Sequence, residues 1–138
     1  MDMGSVAATI NLWAVLVSGL ATFIIGGLWY SPLLFARIWM AENGFREEDL
    51  KRANMAKIFG GAFVLELISA FMLAMFIGPK ATAGFSTLAG LMVGLGWVAT
   101  SLGVLYLFER RSYKLWLINA GYHTISFTAM GAILGFWR

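Results

Sequence analysis

The chain has no cysteine, so disulfides, thiolate metal sites and cysteine nucleophiles are excluded and the redox compartment is left open. It has one histidine, His123, and a lone imidazole with one carboxylate is too small a ligand set for a zinc site. Charge is scarce as well. Only 12% of the 138 residues are charged, where a soluble domain carries roughly 25%. Nucleophile-elbow, phosphate-loop and paired-histidine patterns are all missing, and no polar stretch is large enough for a separate active site. These absences predict a protein that is not an enzyme and needs no cofactor. The net charge of +3 is confined to short stretches between apolar runs, where it reports membrane orientation better than nucleic-acid binding.

What the chain has is hydrophobicity: 60% of its residues, with a mean hydropathy of +0.79. Four runs are long enough to cross a hydrocarbon core of about 30 Å, which takes roughly 20 helical residues. They are Val6 to Tyr30, Ile58 to Gly78, Gly84 to Phe108 and Leu115 to Trp137. In lipid each must satisfy its own backbone, so all four read as helices. The expectation is one all-α transmembrane domain over residues 1–138 with four spans, about 6–30, 58–78, 84–108 and 115–137. The start, Met-Asp-Met-Gly-Ser, has no basic segment ahead of its apolar run and fits no lipidation motif, so the first run reads as a retained helix.

Between the first and second runs, Ser31-Pro32 reads as an N-cap with proline at the first helical position, and Gly44 as a C-cap, which predicts a short helix over Pro32 to Asn43. Its mixture of Leu33, Leu34, Phe35, Ile38, Trp39 and Met40 with Arg37 and Glu42 suits a helix lying on the membrane surface. The alternative is an extension of the first span. Glu47-Glu48-Asp49 followed by Lys51, Arg52 and Lys57 matches a helix macrodipole and predicts a second short helix. Trp29, Tyr30 and Trp39 fall at the interface, where aromatic side chains anchor membrane helices. The connections from Ser31 to Lys57 and from Glu109 to Lys114 hold eight basic residues, against Lys80 and Arg138 on the opposite side. That bias predicts both basic connections in the cytoplasm and both termini outside it.

Glu66 is the only acid inside any of the long runs. A charge near the middle of a membrane helix costs about 2.5–3.5 kcal/mol, and each Leu, Ile, Phe or Val returns roughly 0.3–0.6. Eleven such residues share its run, so the helix inserts and the carboxyl must be neutral or paired. Glu66 and His123 each lie nine residues beyond a basic residue, Lys57 and Lys114. At 1.5 Å per residue both are about 13 Å deep, so the two ionisable groups share a level and could pair or relay protons. Stepping back nine residues from Glu109 reaches Thr100, beside Ser101, which adds the third span to the layer. Asn119, Tyr122, His123, Ser126 and Met130 recur at helical steps along the fourth run, while Ser69 and small residues share the face of Glu66. Gly90 with Gly94 and Gly131 with Gly135 support close helix packing.

The segment Trp29-Tyr30-Ser31-Pro32-Leu33-Leu34-Phe35 with Trp39, the Gly44 and Glu47-Glu48-Asp49 stretch, and Asn119-Ala120-Gly121-Tyr122-His123 with Met130-Gly131-Ala132-Ile133-Leu134 resemble the bacterial membrane family catalogued as domain of unknown function 1761. The resemblance runs over essentially the whole chain. It implies a four-helix protein of the bacterial inner membrane and supplies no activity. Two functions fit the residues. The first is a small transporter or channel-like protein whose polar site (Glu66, His123, Asn119, Tyr122, Ser126, Thr100, Ser101, Ser69) handles a small solute or proton. Because four helices give little wall for a pathway, this reading includes a homo-oligomer, most simply a dimer. The second is a structural or interaction protein that docks a partner or lipid through its cytoplasmic helices, with Trp29, Tyr30, Arg37 and Trp39 at that surface.

Overall fold

The computed structural model describes residues 2–137, and every regular element among them is helical. In chain order these are α1 (Met3–Ala7), α2 (Leu12–Trp29), α3 (Ala36–Asn43), α4 (Glu47–Arg52), α5 (Met55–Ile77), α6 (Ala83–Val93), a π-helical turn (Gly94–Ala99), α7 (Thr100–Phe108) and α8 (Tyr113–Phe136). Three helices are long and apolar enough to cross a membrane: α2, α5 and the continuous helix Ala83–Phe108 made by α6, the π turn and α7. Their outward faces expose Ile24, Val64, Leu65, Met92 and Leu107, a surface compatible with the lipid of a bilayer. α8 has the length, at 24 residues. Asn119, Tyr122 and His123 hold its hydropathy below that of the other three, and it is also the helix the others surround.

The boundaries follow local chemistry. The first apolar run is not one helix. α1 ends at Ala7, and Asn11 opens α2 by accepting from the amides of Trp13 and Ala14 at 3.0 and 3.3 Å. A side-chain amide that can cap a helix competes with one that continues through it. The helix predicted to start at Pro32 starts later: the Ser31 hydroxyl donates to the Leu28 carbonyl at 2.7 Å, closing α2 instead of opening α3, and residues 32–35 form a turn. α3 does end at Gly44, whose φ of 70° is the left-handed cap that glycine adopts without strain. α4 carries its three acids in the first turn and Lys51 and Arg52 in the last, as the macrodipole requires. Asn54, Thr82 and Ser112 cap α5, α6 and α8 through their side chains.

α8 lies between α2 on one side and the α6–α7 helix on the other, and α5 packs mainly on α2. The α6–α8 contact is backbone to backbone. A Cβ at Gly90 would collide with the Phe127 carbonyl, one at Gly131 with the Ser86 carbonyl, and one at Gly94 would stand 2.7 Å from Thr124 Cα. The four small residues marked by their spacing therefore bind two helices of one chain together. On the other side, Ala14, Val15, Ala70, Leu73, Met130 and Leu134 form a buried apolar cluster among α2, α5 and α8.

The connection between α2 and α5 and the one between α7 and α8 lie at the same end of the bundle. There the Trp29 indole donates to the Ile118 carbonyl at 2.8 Å, and Asn119 joins Tyr30 to Tyr106. All eight basic residues of the two connections belong to this basic end. Lys80 lies at the other, terminal end; Arg138, its partner in the count, is outside the described residues.

Candidate functional site

Glu66 stands eleven residues after Met55 and eleven before Ile77, at the midpoint of α5. Its partner is Tyr122 of α8, whose hydroxyl donates to Glu66 Oε1 at 3.0 Å and also lies 3.2 Å from the Thr22 carbonyl of α2. Three helices thus meet at one phenol. Gly26 permits the meeting, because the Tyr122 ring fills the space where a Cβ at position 26 would stand, 3.2 Å from Cε1.

A phenol has one proton to donate, and here two acceptors compete for it. Protonation of Glu66 resolves the conflict: the carboxyl then donates to the phenol oxygen, and the phenol proton goes wholly to Thr22. Loss of the proton draws the phenol onto the carboxylate and leaves the Thr22 carbonyl with its helical bond alone. The chemistry of these groups thus allows two hydrogen-bond arrangements, one for each protonation state of the acid.

Toward the basic end the polarity continues. The Tyr30 ring packs at 5.4 Å from that of Tyr122, and its hydroxyl donates to Asn119 Oδ1 at 2.7 Å. Asn119 in turn donates to the Tyr106 hydroxyl at 2.7 Å, and the Arg111 guanidinium lies 5.4 Å from the centre of the Tyr106 ring. The surface helix α3 joins here too, with Trp39 edge-on to Tyr30 at 5.8 Å. Trp29 and Tyr30 are therefore half-buried connectors between α2 and α8. Arg37 is exposed on α3, and the one ion pair among the described residues is Arg111 with Glu109 at 3.4 Å.

The expected pairing of Glu66 with His123 does not form. Residues on α8 four apart fall in rows. The row of Ile118, Tyr122, Ser126 and Met130 turns toward α2 and α5. The row of Asn119, His123 and Phe127 stands between the two interfaces: the His123 carbonyl and Phe127 Cβ lie against Gly94, Phe127 also packs on the cluster among α2, α5 and α8, and Asn119 meets both Tyr106 and Tyr30. The imidazole is half-buried with the Tyr122 ring 5.1 Å away, and it makes no hydrogen bond to a described residue. One residue beyond Tyr122, His123 is turned from it by about 100° of helix rotation.

Thr100 and Ser101 are also absent from the layer; both are exposed on the outer face of α7. Thr100 spends its hydroxyl within its own helix, donating to the Gly96 carbonyl at 2.7 Å and to that of Trp97 at 3.1 Å inside the π turn. A π turn displaces the regular backbone pairing, and the Trp116 indole, donating to Ala99 O at 2.8 Å, meets another of its carbonyls. Ser69 is half-buried on α5 without a hydrogen bond to a described residue.

Four side chains near the site escaped the sequence reading. Tyr106 joins the chain of hydrogen bonds, and a tyrosine within an apolar run signals as much, since its hydroxyl needs a partner in lipid. Ser18 and Thr22 are fully buried one turn apart on α2, and Ala14, buried one turn further out, continues their stripe. Thr22 donates to Gly19 O at 2.7 Å, whereas Ser18 Oγ, like Ser126 Oγ on α8, is buried without a hydrogen-bond partner. At the terminal end a cleft of about 70 Å³ opens among Asn11, Ala14, Ala74, Pro79, Leu134 and Trp137, with Asn11 Nδ2 3.5 Å from the Trp137 carbonyl.

The family model described as "Protein of unknown function (DUF1761)" matches residues 13–135. No curated protein and no solved structure matches the chain.

Proposed function

This chain belongs to the DUF1761 family, a membership that carries no activity, and from its geometry we propose a small transporter or channel-like protein of the bacterial inner membrane. In this reading α8 is the fourth span, the basic end faces the cytoplasm and both termini lie outside. The protein performs no chemical reaction on its solute. Glu66 is the group that takes up and releases a proton or small cation, and Tyr122 is the switch that reports its state to α2 and α8.

One observation carries the reading: at the midpoint of an apolar helix a carboxyl meets a phenol that a backbone carbonyl also claims, so each protonation state has its own arrangement. An acid kept only for packing would be served by donors that it does not share. Intramembrane acids are rare because they are costly, and they mark ion and proton pathways by default. α5 is the least covered of the three clearest spans, and Glu66 is only partly enclosed by α2 and α8. A second copy packed on α5 would finish the enclosure, and a twofold dimer is the simplest assembly.

The chain of Tyr30, Asn119 and Tyr106 ties α3 to the site, which makes α3 a part of this machinery ahead of a free docking helix. The test is infrared difference spectroscopy of the protein in lipid, comparing wild type with Glu66→Gln and Tyr122→Phe. A carboxyl band that is lost in Glu66→Gln, titrates between about pH 5 and 8 and moves in Tyr122→Phe supports the reading. A band that stays constant across that range makes Glu66 a packing residue.

A further inference from the structure

α2 and α8 run antiparallel, since Asn11 meets Trp137 at one end and Trp29 meets Ile118 at the other. One turn from Thr22 toward the terminal end is Ser18; one turn from Tyr122 in the same direction is Ser126. Both hydroxyls therefore lie just beyond the point where Tyr122 joins Thr22 and Glu66. Both are at most 1% exposed, and neither oxygen has a hydrogen-bond partner in good geometry, Ser126 Oγ having only the Tyr122 phenol near it. Two orphaned hydroxyls on facing helices, beside a carboxyl, fit a place where water is held, because buried polar groups left without protein partners are ordinarily met by internal water.

Beyond them the chemistry changes for one turn. Ala14, Ala70, Leu73 and Met130 close the seam with apolar atoms, and Ala14, Ala70 and Met130 have no exposed surface. One further step outward is the terminal cleft, to which Ala14 and Leu134 both belong. The order along the seam is carboxyl, hydroxyls, apolar plug, cleft. Met130 is the one plug residue with an unbranched, flexible side chain, so it can leave the seam by changing rotamer without moving a helix.

We propose that this seam is the proton route to Glu66 from the terminal end, with water held by Ser18 and Ser126 as its relay and Met130 as its gate. A hydronium admitted through the cleft gives its proton to the held water, and that water gives one of its own to a Glu66 carboxylate oxygen. One O–H bond breaks for each that forms, and the route is left as water beside a neutral carboxyl. Tyr122 of α8 is the only titratable side chain hydrogen-bonded to Glu66 among the described residues, α2 contributes Thr22, and His123, whose ring lies 5.1 Å from that of Tyr122, makes no hydrogen bond to the carboxyl. The proposal rests on Glu66 being an exchangeable site, as read above.

The absence of cysteine makes the test direct. Ser18→Cys and Ser126→Cys are made singly, beside Val64→Cys on the exposed face of α5, and treated in proteoliposomes with a small water-soluble methanethiosulfonate. Thiols react as thiolates, which form in water and not in lipid, so both serine positions should react about tenfold faster than position 64. Met130→Ala should raise both rates several-fold, while Met130→Leu should not. Deuterium exchange into the Glu66 carboxyl band, read in the unsubstituted protein and in Met130→Ala, gives the same answer if a cysteine variant fails to fold. Rates at 18 and 126 no greater than at 64, or rates and exchange indifferent to Met130→Ala, overturn the route. Where that happens while Glu66 still titrates, only the route falls; where the Glu66 band is also constant with pH, the site falls with it.

Discussion

Tyr122→Phe removes one oxygen and keeps the ring, so its effects isolate the shared hydrogen bond. The ring still fills the space beside Gly26 and still packs on Tyr30. Two acceptors lose their donor, at 3.0 Å on Glu66 and 3.2 Å on Thr22. The Thr22 carbonyl belongs to α2 and keeps its helical bond, so most of the loss falls on Glu66, which is left with the Thr22 hydroxyl as its neighbouring polar group. A hydrogen bond between membrane helices is worth about 0.6–1.7 kcal/mol, and an acid left without its partner lies at the upper end, so the expected loss is about 1–2 kcal/mol. Reversible unfolding in mixed micelles, followed by tryptophan fluorescence, measures it. In a Glu66→Met background the same substitution should cost less than about half as much, since one acceptor is already gone. Equal losses in the two backgrounds would refute the coupling, and with it the role of Tyr122 as the reporter of Glu66.

Asn119→Leu breaks the bonds to Tyr30 and Tyr106 together and should cost about 1–3 kcal/mol in the same titration; a loss below about 0.5 would show that neither bond matters. Gly90→Ala sets a methyl against the Phe127 carbonyl and should destabilise by more than about 2 kcal/mol. Gly60→Ala, where a Cβ meets nothing within 4 Å, should gain roughly 0.5–1 kcal/mol from helix propensity alone. Thermal unfolding of the pair decides whether backbone contact or propensity governs these glycines. Arg110 holds φ at 59° after α7, so Arg110→Gly should raise the unfolding temperature by an amount equivalent to about 0.5–1 kcal/mol, and a fall would show that its charge outweighs its strain.

The helical fold was legible because hydrocarbon leaves the backbone few choices: uninterrupted apolar runs from 58, 84 and 115 had to be helices, and the caps at Asn54, Thr82 and Ser112 are ordinary capping residues two to four positions ahead of them. Where the reading slipped, a polar side chain chose between two local uses. Asn11 caps α2 and splits the first run; Ser31 closes α2 and delays α3; Thr100 serves the carbonyls of the π turn. Each choice turns on a bond to the neighbouring backbone, and hydropathy carries no trace of it.

The site shows a different limit. Depth in a membrane is a single coordinate, and counting residues from Lys57 and Lys114 measures it well enough to bring position 123 level with Glu66. Contact also needs an angle, and adjacent residues on a helix differ by about 100°. Small residues could have supplied that angle. The facing Gly90, Gly94, Gly131 and Gly135 fix the side of α8 that α6 occupies, and Phe127 lies on that side. His123 is in the row of Phe127; Tyr122 is in the row of Ser126 and Met130, which must then turn toward α2 and α5. Once the glycines are assigned to the α6–α8 contact, the partner of the buried acid follows as the tyrosine, and the histidine one residue on is turned about 100° from it.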